Sequence, residues 1–247
     1  MFRPRLALAS LSGRSDADWA ANAVPHAGAA FLGGIAIDEP TRDAARTMVE
    51  RDRTEFLPPD PLAFIQRQLE ALTDVPVRPG INVRSASPSP LEAVGHCCRD
   101  HDALLEVNAH CRQAEMCAVG SGESLLGDID RLVSHVETAH ETGATVGVKV
   151  RAEVDDVDLP RVCRRIEAAG ASFVHVDAMD SEPVIEPIAT ETDLFVIANN
   201  GVRDRETVQQ YRTYGADAVS VGRPSDEPRV LERVAAALAG PTARRQQ

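Results

Sequence analysis

Two glycine-bearing turns, one isolated lysine, a strand histidine and a loop cysteine are the residues of this chain best suited to chemistry. Val196-Ile197-Ala198-Asn199-Asn200-Gly201 and Ala218-Val219-Ser220-Val221-Gly222-Arg223 each run from an apolar stretch into Asn or Gly. Gly201 and Gly222 let backbone amides approach a phosphate oxygen, and Arg223 adds a forked bidentate donor. Either glycine alone reads equally well as a tight turn; the pair points to a phosphorylated ligand. Lys149 is the only lysine in the chain, against 25 arginines. A compact ammonium where every other cation is a guanidinium points to a site needing a point charge. Its chemistry would be stabilisation of a negative cofactor ring or substrate oxyanion, with a Schiff-base lysine as the alternative. His175 lies two residues before Asp177. That spacing puts both on one strand face, with Asp177 placed to orient the imidazole. A satisfied core histidine is the competing reading. Cys111 falls in a loop, where a thiol serves as acid or nucleophile. His110 and Cys117 raise the option of a metal, but the Cys111–Cys117 spacing lacks the paired CxxC of structural zinc sites, and no metal is expected.

The elements that must position these residues alternate. Short Val/Ile/Leu/Ala runs at 5–9, 30–37, 79–84, 104–108, 145–151, 173–177, 194–199 and 218–222 read as strands. Near-continuous apolar runs are how parallel strands covered on both faces read. Amphipathic helical patterns follow, for example at 16–26, 88–101, 128–143, 156–170, 203–215 and 226–238, several with an Asp or Pro start and a Gly stop. The least regular stretch is 38–77, where an extra helix near 61–72 lengthens the second unit. Eight β/α units in one α/β domain fit a closed (β/α)8 TIM barrel, with an open doubly wound sheet as the rival. In such barrels the active site lies at the C-terminal strand ends, which is where Ser10, Asn82, Cys111, Lys149, His175, Asn199 and Gly222 fall.

The chain has 247 residues and a formal charge of −12, with 43% hydrophobic and 26% charged residues. This composition buries a core. No apolar run suits a membrane span, and no signal peptide is expected. Five cysteines without a secretion signal favour a reduced, cytoplasmic setting. The acidic balance weighs against broad nucleic-acid binding, which needs phosphate neutralisation, while leaving a local basic groove open.

Taken in order, several segments resemble the dihydrouridine synthase family of FMN-dependent barrels. Leu6-Ala7-Leu8-Ala9-Ser10-Leu11-Ser12-Gly13 is similar to the family's APMAGVT turn. Glu106-Val107-Asn108-Ala109-His110-Cys111 with Gly120, Gly122, Leu125 and Leu126 resembles NxGCP…GxGxxLL. Val148-Lys149-Val150-Arg151 resembles VKIR, and Val174-His175 the start of HGRT. Ala198-Asn199-Asn200-Gly201 resembles ANGD, and the stretch from Gly215 to Arg223 resembles GADGVMIGR. The resemblance implies an FMN-binding TIM barrel, expected over residues 1–240, and residues 241–247 are expected to form a disordered tail. It implies that Lys149, Asn82 and His175 lie at the flavin ring, and that Ser10 sits in the turn beneath it. Asn199, Asn200, Gly201, Gly222 and Arg223 would hold its phosphate. Cys111 would be the proton donor, with Lys149 and His175 completing the catalytic set. The implied activity is that of a flavin-dependent oxidoreductase moving hydride to or from a pyrimidine-like C5=C6 bond, with NAD(P)H as electron donor. The implied substrate is tRNA, as in tRNA processing, or a small pyrimidine-like molecule; barrels of this sort often pair, so a homodimer stays open.

This chain departs from the family pattern in three places. His110-Cys111-Arg112 stands where the family has Gly-Cys-Pro, Val176-Asp177-Ala178 follows His175 in place of Gly-Arg-Thr, and residues 241–247 leave no room for the family's RNA-binding helical domain. Two other readings therefore stand beside the first: a flavin-independent barrel enzyme acting on a phosphorylated small molecule, and a non-catalytic cofactor-binding barrel.

Overall fold

The computed structural model describes residues 1–240; residues 241–247, where a disordered tail is expected, lie outside the described residues. Eight strands occur in chain order, β1 (Leu6–Leu8), β2 (Ala29–Ala36), β3 (Arg78–Arg84), β4 (Leu104–Asn108), β5 (Thr145–Arg151), β6 (Phe173–Asp177), β7 (Phe195–Asn199) and β8 (Ala218–Val221). Each pairs in parallel with the next, and β8 pairs back onto β1 through Leu6–Val219, Ala7–Ser220 and Leu8–Val221, closing the barrel. The expected (β/α)8 barrel is the observed fold, and the open-sheet rival is excluded by the β8–β1 pairing.

Eleven α-helices cover the barrel among the described residues: α1 (Ala17–Ala21), α2 (Glu39–Val49), α3 (Pro61–Glu70), α4 (Pro90–Asp100), α5 (Ala114–Ala118), α6 (Ser124–Gly127), α7 (Ile129–Glu141), α8 (Leu159–Ala168), α9 (Ile185–Glu191), α10 (Arg205–Thr213) and α11 (Pro228–Ala239). Asp16, Asp38, Asp60, Asp128, Asp158 and Asp204 each cap a helix by accepting a backbone N–H three residues on. Each such cap contributes about 1 kcal/mol and fixes where the chain leaves the barrel mouth. Helix α2 is not among the sequence expectations. Its buried face, Thr41, Ala44, Ala45 and Met48, recurs at i, i+3, i+4 and i+7 behind the Asp38 cap, a helical pattern carried by mostly small side chains.

Strand parity divides the interior in two. Val146, Val148, Val150, Val174, Val176, Val196, Ala198, Val219 and Val221 join the large cluster that packs against the helices. Ala7, Ala29, Phe31, Leu104, Phe173, Ile197 and Ala218, on the opposite parity, form a separate cluster inside the barrel. Gly147 leaves room for it, since a Cβ there would come within 2.4 Å of the Phe173 ring. Two residues further along the same inward face the side chains become polar: Asn82, Glu106, Lys149, His175, Asn199 and Ser220. The barrel is therefore plugged by apolar side chains at its N-terminal end and lined by polar ones at its mouth.

Candidate active site

Lys149 apart, the polar layer is one connected hydrogen-bond chain. Asn199 Nδ2 donates to Ser220 Oγ (2.7 Å), which stands 2.7 Å from His175 Nε2. His175 Nδ1 lies 2.7 Å from Glu106 Oε2. Glu106 Oε1 accepts from Asn82 Nδ2 (2.6 Å), and Asn82 Oδ1 accepts from Asn108 Nδ2 (2.9 Å). Asn108 Oδ1 then accepts the backbone N–H of His110 and of Cys111. Five strands are tied together by this route, which ends on the amide of the loop cysteine.

Its charge state follows from burial. Burial lowers the pKa of His175, against the pull of Glu106, and favours a neutral ring. The neutral tautomer that satisfies the chain donates Nδ1–H to Glu106 and accepts the Ser220 hydroxyl at Nε2. Burial opposes the charge on Glu106, but His175, the ammonium of Lys149 and the Asn82 amide outweigh it and hold the carboxyl below its ordinary value. Burial lowers Lys149 in turn, with Glu106 and Asp177 pulling partly back. Lys149 is 3% exposed, and among the described residues its ammonium has no hydrogen-bond partner.

Asp177 belongs to a second group. His110 Nε2 lies 2.9 Å from one of its oxygens, and Asn200 Nδ2 donates to the other at 2.9 Å. Burial opposes ionisation of Asp177, yet the His110 and Asn200 bonds prevail and hold its carboxyl down to about 2. The expectation that Asp177 orients His175 is thus corrected. Both side chains point inward, but Glu106 on β4, reaching across the barrel past β5, is the residue in reach of the imidazole.

A cavity of about 500 Å³ lies over this layer, a volume suited to a cofactor-sized ligand. It brings together Ser10, Lys149, Asn199, Asn200, Gly201, Gly222 and Arg223 from the expected set. A Cβ at Gly201 or Gly222 would meet nothing within 4 Å, so both backbones open onto free space. Among the described residues the amides of Gly201, Val202, Gly222 and Arg223 donate to no protein acceptor. Tyr211 holds this rim by donating its hydroxyl to the carbonyls of Asn199 and Asn200. Unpaired amides with Arg223 at one end and the Lys149 ammonium, facing the cavity, at the other fit an anionic cofactor with a phosphate tail and an electron-accepting ring.

Cys111 is 8% exposed and lies beside this cavity, on the wall of a second one of about 350 Å³. Its carbonyl accepts from Glu123 N at 2.9 Å. Gly122 makes that clamp possible, because a Cβ there would fall 2.2 Å from the Cys111 oxygen. Asn82 and His175 line neither cavity; both are fully buried beneath them with their polar atoms committed to protein partners. Glu106 and Ser220 were not singled out by sequence reasoning. The available signal was a carboxylate of inward parity two residues before Asn108. A third cavity, of about 520 Å³ between the loops after β5 and β6, contains Arg151 but none of the expected site residues.

Residues 84–246 match the family described as Dihydrouridine synthase. The chain belongs to the dihydrouridine synthase family. The matched region begins at the end of β3 and contains Cys111, Lys149, His175 and both glycine turns. A protein of Methanocaldococcus jannaschii, MJ0144, described as uncharacterized, is 24% identical over 233 residues, covering 89% of this chain and 88% of that one. The human tRNA-dihydrouridine(20a/20b) synthase [NAD(P)+]-like is 27% identical over 132 residues, 48% of this chain and 42% of the human protein. Among solved structures, DHODH from Eimeria tenella in complex with ferulenol superposes with a TM-score of 0.71 at 14% identity, covering 95% of this chain and 80% of the other. That likeness is one of fold. No helix among the described residues is long and apolar enough to cross a membrane.

Proposed function

We propose that this member of the dihydrouridine synthase family is an FMN-dependent oxidoreductase acting on a pyrimidine-like C5=C6 bond, in the cytoplasm and with NAD(P)H as electron donor. The observation that carries the reading is the 500 Å³ cavity, with the unpartnered Lys149 ammonium at its inner end and the unpaired amides of the last two strand turns at its rim. FMN, when bound, supplies the hydride chemistry, which this protein's own side chains do not. Gly201, Gly222 and Arg223 would receive the phosphate, with Asn199 and Asn200 shaping that rim and Ser10 facing it from the end of β1. Lys149 would stabilise negative charge on the ring side. Cys111 Sγ, on the adjoining wall, would give or take the proton at C5 as hydride moves at C6. Asn82 and His175 act in this reading as positioning residues, holding Glu106 and the strand ends beneath the ring.

Purified protein should be yellow, or become so on adding FMN with about one equivalent bound. Lys149→Met should stay folded while flavin reoxidation by substrate slows roughly 100-fold, the scale of losing one preorganised charge contact. Colourless protein that takes up no FMN, or full turnover in Lys149→Met, would remove the assignment. A second reading has one observation behind it: burial lowers Lys149, which suits an amine nucleophile in a flavin-independent barrel. Borohydride trapping of a carbonyl adduct on Lys149 would favour that reading over the flavin one.

A further inference from the structure

The 350 Å³ cavity beside Cys111 is walled by five arginines, Arg53, Arg84, Arg112, Arg151 and Arg223. This is an unusual concentration in a chain with 38 acidic against 26 basic residues. Two of the five are braced from behind. Glu55 holds Arg84 at 2.6 Å and Glu123 holds Arg151 at 2.9 Å, with the arginine side chains 4% and 9% exposed. Glu55 also reaches Arg53, at 3.9 Å. Arg112 is exposed and makes no ion pair among the described residues; Arg223 makes none either, but the proposed function gives it to the cofactor phosphate. Asp177 is the one carboxylate on the wall, and both its oxygens are engaged by His110 and Asn200. The cavity therefore keeps cationic charge that the protein itself does not neutralise. A neutral pyrimidine ring would leave that charge unanswered, whereas an oxyanion carried on the substrate answers it with bidentate guanidinium contacts.

We propose that this cavity is an oxyanion subsite and that the substrate is a small pyrimidine-like molecule bearing a phosphate or carboxylate. Its anionic group sits on Arg112 and Arg53, with the ring toward Cys111. The inference rests on the proposed redox reading for the identity of the ring, but the anion subsite stands on its own geometry. A small anion is favoured over RNA because the arginines converge inside one cavity while the net charge of −12 repels a long polyanion.

The test is calorimetric titration of the FMN-loaded full chain with uridine, uridine 5′-monophosphate, uracil-6-carboxylate and bulk tRNA at low salt, with flavin content read separately by absorbance. At least one of the two anionic probes should bind about tenfold more tightly than uridine or more, with the preference collapsing as salt is raised. Arg112→Gln and Arg53→Gln, on the wall of this cavity alone, should each remove most of that preference and leave flavin content unchanged. Equal binding of charged and neutral probes, a preference that survives both variants, or binding of tRNA alone would overturn the proposal. Loss of flavin binding with the anion preference intact would strike the redox reading and not the subsite.

Discussion

Replacing Glu106 by Gln tests whether the polar layer is held together by a buried charge. The carboxylate is fully buried and accepts two short hydrogen bonds, from His175 at 2.7 Å and Asn82 at 2.6 Å, while facing the Lys149 ammonium. Gln keeps the shape but has one acceptor oxygen in place of two and no charge. His175 can adapt by moving its proton to Nε2 and accepting at Nδ1, so one hydrogen bond is recoverable. The loss of counter-charge is not, because only Asp177 is then left to attract the Lys149 ammonium. Breaking a buried ion pair in contact costs about 3–5 kcal/mol, and these two charges attract without a hydrogen bond, so the lower end of about 3 kcal/mol applies. For a domain of this size that is a fall in Tm of roughly 6–12 °C, at about 2–4 °C per kcal/mol. The pH dependence gives a second readout. The folded pKa of Glu106 is below its unfolded value, so its contribution is present above the unfolded value and is lost as pH falls through the folded one. The gap between wild type and Glu106→Gln should therefore be widest near neutral pH and close in acid. Lys149 moves the other way: its folded pKa is already depressed, and losing Glu106 depresses it further, so the variant should regain stability as the pH is raised. Urea titrations at several pH values would measure both trends. A variant as stable as wild type at neutral pH, or a gap independent of pH, would refute the argument.

Two further outcomes follow from the same geometry. Asp177→Asn removes a carboxyl held at about 2, against an ordinary value of 3.8, so wild type should be about 2 kcal/mol more stable than the variant above pH 4, with the difference vanishing as the pH falls through 2; acid unfolding curves would show it, and parallel curves would contradict it. Gly222→Ala places a methyl where nothing lies within 4 Å, in the space the phosphate would occupy, so FMN retention should fall severalfold, read by flavin titration of the purified variant. Unchanged FMN affinity in this variant would move the phosphate away from that turn.

Much of the architecture is legible in one dimension because the forces that make it are local or periodic. Short Val/Ile/Leu/Ala runs between polar turns locate all eight strands to within one residue at either end. Asp caps mark helix starts, and closure into a barrel follows from eight repeated units. Strand parity alone turns Lys149 inward, because Val146, Val148 and Val150 must face the helices. The glycine turns and Lys149 can be recognised because their residue types are unusual for their places. The partners of the buried polar groups are a different matter. His175 pairs with Glu106, 69 residues away, and with Ser220, 45 residues away, not with Asp177 two residues on. The five arginines around Cys111 come from positions 53 to 223. Those choices depend on register, on the shear that sets which strand's side chain stands opposite which, and on loops that converge only once the barrel closes. A hydrogen bond or charge pair forms over a few ångströms of space, and chain order says little about which distant residues will share it.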